Sequence, residues 1–336
     1  MRGLMGRAQF RHARLLWLVA VVTACGAPGS NATAQTGFEA TAPTAADARL
    51  DMERALADLE FLAADSLEGR QSGTRGNAIA RGYLIDAFRE TGLEPMAGDF
   101  TFDFPLRDGG SGVNVAGVRR GLVHPDRYIV ISAHYDHLGV RGGEIYNGAD
   151  DNASGTAGLL ALARYFQQQP PENSILFVAF DAEEGGLQGA RAFVADPPVP
   201  LDQIVINVNL DMVSRNTDGE LYVAGTYHYP FLEPLVARVA ESAPVTLIAG
   251  HDRPGLPAGD DWTRASDHGA FHDAGVPFLY FGVEDHADYH RPTDTFENIE
   301  PDFYGHALET ILDAIATLDR ELDAIAEAAT AAKATR

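Results

Sequence analysis

The stretch SILFVAFDAEEGG, Ser174 to Gly186, passes without a break from an apolar run to three acids, Asp181, Glu183 and Glu184. A short, continuous run rich in β-branched and aromatic residues reads as a strand buried on both faces, as in the middle of a parallel sheet. The acids that follow pose a problem. Adjacent carboxylates repel unless cations or solvent hold them. Three further runs repeat the design: YIVISA (Tyr128–Ala133), IVINVNL (Ile204–Leu210) and PFLYF (Pro277–Phe281). Each leads into a candidate ligand, with His134 and Asp136 in HYDHLG, Asp211 in NLDMV and His290 in GVEDHADYHRPTDT.

Helical periodicity fills the intervals between these runs. Apolar residues at helical spacing predict helices over Arg49–Leu62 and Asn77–Gly92, with Gly92 as the stop. Gly155–Gln168 reads as a helix with Ser154 as its N-cap. A last helix from Pro301 to Ala328 carries one stripe of Leu308, Ile311, Leu312, Ile315, Leu318, Leu322 and Ile325. The alternation predicts an α/β fold, a single globular domain with a mostly parallel central β-sheet and helices on both faces. Its expected bounds are residues 48–328, after a leader (1–24) and a flexible linker (25–47) and before a tail (329–336).

Open sheets of this type bind ligands at the carboxyl ends of their strands. The ends named above would therefore converge, joined by NGADDNASG (Asn147–Gly155) with Asp150 and Asp151. Any one histidine or aspartate after a strand is commonly a turn or cap residue, but five such segments argue for a shared site. A set of nitrogen and oxygen donors without thiols suits zinc in a catalytic site, with manganese or cobalt as substitutes.

Composition removes competing chemistries. The formal charge of −23 argues against a nucleic-acid partner, which needs a basic surface. Lys333 is the only lysine and Cys25 the only cysteine, so neither a Schiff base nor a cysteine nucleophile within the fold is available. No G-x-S-x-G elbow occurs. At the N-terminus, Arg2, Arg7, Arg11 and Arg14 precede LLWLVAVV, a run too short to span a bilayer but suited to an export signal. The following VTAC resembles a bacterial lipobox ending at Cys25. The expectation is an exported protein of the periplasm or cell envelope, membrane-anchored only through a lipidated Cys25; a plain signal peptide and secretion are the alternative.

The blocks AHYDHLG, NGADDNASG, FDAEEGGLQGA, NLDMV and SDHGAF…GVPFLYFGVEDHADYHRPTDT stand in an order that resembles the co-catalytic di-zinc exopeptidase family. That family includes bacterial leucyl aminopeptidases and, more distantly, glutamate carboxypeptidase and glutaminyl cyclase. DSLEGRQSGTRGNAIARGYLIDAF is similar to the N-terminal helices of bacterial members. The resemblance implies the zinc-exopeptidase fold, of the phosphorylase/hydrolase-like kind, and two Zn2+ ions per chain. It places Asp150 as the bridging ligand, His134 and Asp211 on one ion, and Glu184 and His290 on the other. It makes Glu183 the general base, Asp136 the acid that orients the ligand histidine, and Tyr289 a candidate donor to the developing oxyanion. It also implies a cis peptide bond after the bridging aspartate, expected at Asp150–Asp151.

The implied activity is a metallopeptidase that removes N-terminal residues from peptide substrates. A glutaminyl cyclase or a carboxypeptidase on the same scaffold is the alternative, the latter calling for pocket arginines such as Arg264 or Arg291. His137 and His286 read either as pocket wall or as partners that steady a ligand. Ser266, Asp267 and His268 are placed near the pocket. The segment 250–265 reads as a loop over the site or a surface excursion.

Overall fold

The computed structural model describes residues 49–334 apart from 97 and 258. In chain order its strands are β1 (Glu94–Pro95), β2 (Thr101–Pro105), β3 (Ser111–Arg119), β4 (His124–His134), β5 (Gly139–Arg141), β6 (Glu144–Tyr146), β7 (Asn173–Phe180), β8 (Ile204–Leu210), β9 (Glu220–Ala224), β10 (Thr246–Ala249) and β11 (Phe278–Gly282). The helices are α1 (Met52–Leu62), α2 (Arg75–Glu90), α3 (Gly155–Gln168), α4 (Gln188–Ala195), α5 (Glu233–Ser242), α6 (His268–Asp273) and α7 (Pro301–Ala334).

The four apolar runs form the centre of a nine-stranded sheet, side by side in the order β7, β4, β8, β11 and mutually parallel. Successive side chains of a strand point to opposite faces, so each run feeds two cores. Ile129, Ile131, Ile175 and Phe177 pack on one face beneath α1, α2, α3 and α7; Val130, Leu176, Val178 and Phe180 pack on the other beneath α4 and α6. This is why the runs show no polar alternation. The predicted stripe on α7 is buried throughout, Leu308 to Ile325.

Three details differ from the sequence reading. First, α7 does not stop at Ala328 before a tail. It continues to Ala334, because AATAAKA is built almost wholly of strong helix formers. Second, Ser154 precedes α3 but does not cap it. Its hydroxyl donates to the Asp150 carbonyl, while Asn152 Oδ1 accepts the Gly155 N–H at 2.9 Å. Third, the sheet gains antiparallel edges: β3 pairs antiparallel with β7, and β9 with β11. β3 (SGVNVAGVR) carries a weak strand signal because Gly112 and Gly117 lie under the rings of Phe104 and Phe100, where a Cβ would come within 2.4 and 3.0 Å. The expected leader, lipobox and linker fall outside the described residues.

Arg70 ties the end of β4 to the end of α1 and to the turn before α3. Its guanidinium is fully buried and donates to the carbonyls of Tyr135 (2.9 Å), Leu62 (2.5 Å), Asn147 (2.6 Å) and Gly148 (3.0 Å). Two of these carbonyls precede the Asp150–Asp151 turn, and a third follows His134. Burial pulls its pKa down to about 10, against the pull of Asp151, Asp294, Asp136 and Glu184. It therefore remains a cation behind an acidic surface. Arg70→Met is expected to lower the free energy of unfolding by about 3–5 kcal/mol, since it leaves several buried carbonyls without a donor; urea denaturation checks this.

Candidate metal centre

The carboxyl ends of β4, β7, β8 and β11 and the turn before α3 meet around a cavity of about 250 Å³. His134 is the last residue of β4. Its Nε2 lies 3.2 Å from Asp211 Oδ1 and 3.3 Å from Asp151 Oδ1. On the other side of the same carboxylate, Asp151 Oδ2 lies 3.0 Å from His290 Nε2, which in turn is 3.4 Å from Glu184 Oε2. Asp151 thus presents one oxygen to each of two donor groups. Burial would raise its carboxyl, but His137, His134 and His290 outweigh this and hold it well below the usual carboxylate range.

The structure corrects the expectation for the Asp150–Asp151 pair. Asp150 turns away from the cavity: its Oδ1 accepts the N–H and hydroxyl of Ser214 (2.8 and 2.7 Å), and its Oδ2 is 3.1 Å from His286 Nε2. The position expected of Asp150 between the two groups is held by Asp151. The cis peptide is likewise Asp151–Asn152, not Asp150–Asp151. One carboxylate fixes the turn, Asp294 accepting the amides of both Asp150 (2.9 Å) and Asp151 (3.1 Å). The Asn152 amide then anchors it to the end of β8 through the Leu210 carbonyl at 2.9 Å. Asp151 leaves the helical dihedrals of the segment around it (φ −103, ψ 93), so the two adjacent side chains diverge, and these remote partners choose which one faces inward.

Asp136 also works differently from expectation. His134 Nδ1 donates to the Asp136 peptide oxygen at 3.2 Å, whereas the Asp136 carboxylate is 3.8 Å away. That carboxylate accepts the Glu183 N–H at 3.0 Å instead, so it sets the backbone on which Glu183 and Glu184 stand. Glu183 faces the cavity with His134 and Asp211. Burial, with Asp211, Asp267 and Glu184 close by, pushes its carboxyl well above the usual range despite His134. Tyr289 lines the wall and stacks on the His290 ring at 3.9 Å. Burial beside Asp151 and Asp211 raises its phenol, so it stays protonated and able to donate.

The remaining candidates fall around this centre. Ser266 is bonded to Asn209 of β8 at 2.9 Å, which seats the 266–268 segment against the sheet; Asp267 is buried behind the cavity and His268 hydrogen-bonds the Trp262 carbonyl. Residues Gly259, Trp262 and Ala265 of the 250–265 segment line the cavity, so this segment forms part of its wall. Arg264 reaches Asp273 instead, and neither it nor Arg291 is among the described lining residues. His286 holds Asp150, and His137 lies against Glu184 at 2.7 Å. The sequence marked both histidines by their place beside the ligand motifs without showing which neighbour each would meet.

The donor chemistry fits divalent cations. His134, Asp151 and Asp211 bring ligand atoms within 4.8 Å of one another, and so do His137, Asp151 and Glu184. Buried carboxylates at this density are tolerated when cations neutralise them, and among the described residues none directs a hydrogen bond to the buried acceptor Glu184 Oε1.

A profile of peptidase family M28 matches residues 114–315, well over half of the chain and all of this centre. The chain belongs to peptidase family M28. It is 33% identical over 200 residues to aminopeptidase YwaD of Bacillus subtilis, covering 55% of this chain and 40% of that protein. The chain thus spans about two fifths of that relative. Among solved structures, a zinc aminopeptidase from Bacillus subtilis has a TM-score of 0.63 at 18% identity, covering 79% of this chain and 94% of that one. A glutaminyl cyclase from Porphyromonas gingivalis has a TM-score of 0.64 at 20% identity, covering 81% and 99%. At these identities the structural likeness establishes the shared α/β fold and does not separate the two reactions.

The geometry separates the adjacent aspartates experimentally. Asp151→Ala is expected to abolish tight metal binding, while Asp150→Asn, whose carboxylate is occupied by Ser214 and His286, retains most of it. Elemental analysis of dialysed protein checks this, and equal loss from both would refute the assignment.

Proposed function

We propose that this M28 chain is a metal-dependent aminopeptidase that binds two divalent cations, zinc in the first place. His134, Asp211 and Asp151 Oδ1 would hold one, and Glu184, His290 and Asp151 Oδ2 the other. The observation that carries the reading is the split Asp151 carboxylate with Glu183 beside it in the same cavity. Bound cations supply polarisation of the scissile carbonyl and acidification of water.

The chain's own residues do the rest. Glu183, held by the Asp136 carboxylate through its N–H, takes the proton of the attacking water and returns it to the departing amine. Its raised basicity suits that exchange. Tyr289 is placed to donate to the oxygen on which charge develops. Met212, Trp262, Ala265, Tyr280 and Val283 make an apolar wall suited to one uncharged side chain. The absence of arginine and lysine among the described lining residues favours recognition of a free amine over a free carboxylate. A hydrolase rather than a cyclase is favoured by two complete donor groups.

Export, supported by the arginines and apolar run of residues 1–24, and anchoring at Cys25 are both part of the proposal; Cys25→Ser would then move the protein from the membrane fraction to the soluble one.

Glu183→Gln is expected to keep the metal content of the parent while lowering kcat by several orders of magnitude. Loss of metal in that variant would overturn the role of Glu183. A panel of aminoacyl and acyl-blocked chromogenic substrates tests the class: turnover is expected only with a free N-terminal amine, and turnover confined to blocked substrates would sink the aminopeptidase reading.

A further inference from the structure

His137 is a buried imidazole that the proposed ligand set does not use. Only 1% of its surface is exposed, and among the described residues neither ring nitrogen finds a directed hydrogen bond. Buried polar groups normally find partners, so this ring calls for an explanation. Its Nδ1 approaches Glu184 Oε1 to 2.7 Å and Asp151 Oδ2 to 3.8 Å. Yet Glu184 Oε1 also lacks a directed hydrogen bond. With Asp151 the two residues bring three ligand atoms within 4.8 Å of one another, an arrangement that suits a third centre between them.

The ring is held there from behind. Gly148 has φ +59, and a Cβ at that position would lie 2.5 Å from His137 Cδ2. The backbone of the metal-binding turn is thus pressed against the imidazole, and only glycine permits it. The ring edge also meets His290, with centroids 5.8 Å apart at 60°. The two histidines flank Glu184 and Asp151 differently, since the His290 side chain is 36% exposed and His137 closes the buried side.

We propose that His137 Nδ1 is an additional ligand of the cation held by Glu184, His290 and Asp151 Oδ2. The inference rests on the two-cation reading above. It makes the two positions chemically unequal. One takes a single imidazole with two carboxylates, the other two imidazoles with two carboxylates. The richer nitrogen set favours zinc or cobalt over manganese at that position, and the added ligand makes it the tighter of the two.

The test uses the full-length protein labelled with 15N in its histidine rings and loaded with zinc. Three imidazoles are expected to carry a metal-shifted ring nitrogen, from His134, His137 and His290. His137→Gln, which fills much the same space and keeps a polar group beside Glu184, is expected to remove one of them and weaken the tighter site at least tenfold in chelator-buffered zinc titrations. Two shifted imidazoles in the parent protein, with two zinc ions bound, would overturn the role of His137 and leave the two-cation reading intact. Fewer than two zinc ions per parent chain would remove both. The parent spectrum decides the point even if the variant fails to fold.

Discussion

The structure depends on one carboxylate shared between two donor groups. Asp151 turns Oδ1 toward His134 and Asp211 and Oδ2 toward His290 and Glu184. No local rule places it there. Its amide is held by Asp294, the residue after it by the end of β8, and the carbonyls before it by Arg70. A carboxylate that faces two donor groups tolerates little rotation, and the turn is accordingly fixed from three separate parts of the chain.

The same logic explains why the site sits on this scaffold. Parallel strands end together, so the residues that follow them meet at one edge without any being near another in sequence. Rigid strands buried on both faces aim those residues better than loops would. Arg70 and the carboxylates it faces make a layered arrangement, with a buried cation behind the acids. Such an arrangement limits the repulsion that adjacent acids would otherwise exert during folding.

Much of the fold was legible because its central strands are buried on both sides. Continuous apolar runs and the α7 stripe reflect burial directly, so β4, β7, β8, β11, α3 and α7 could be read from composition and period alone. β3 was not, since its glycines serve the aromatic rings above them and dilute the strand pattern. The proposed ligands His134, Glu184, Asp211 and His290 stand out in the sequence by their position after strands and by resemblance to a known family. The choice between Asp150 and Asp151 does not, and neither do the placements of His137 and His286.

By itself, the sequence determined that this is an α/β chain with acids and histidines gathered at the strand ends, because hydrophobic periodicity and residue type are local properties. Only the tertiary structure decided which of two adjacent aspartates faces the cavity and which histidine meets which acid. Neighbouring side chains point in different directions on any backbone, and the partners that settle which way these two turn, Ser214, His286 and Asp294, lie more than sixty residues away.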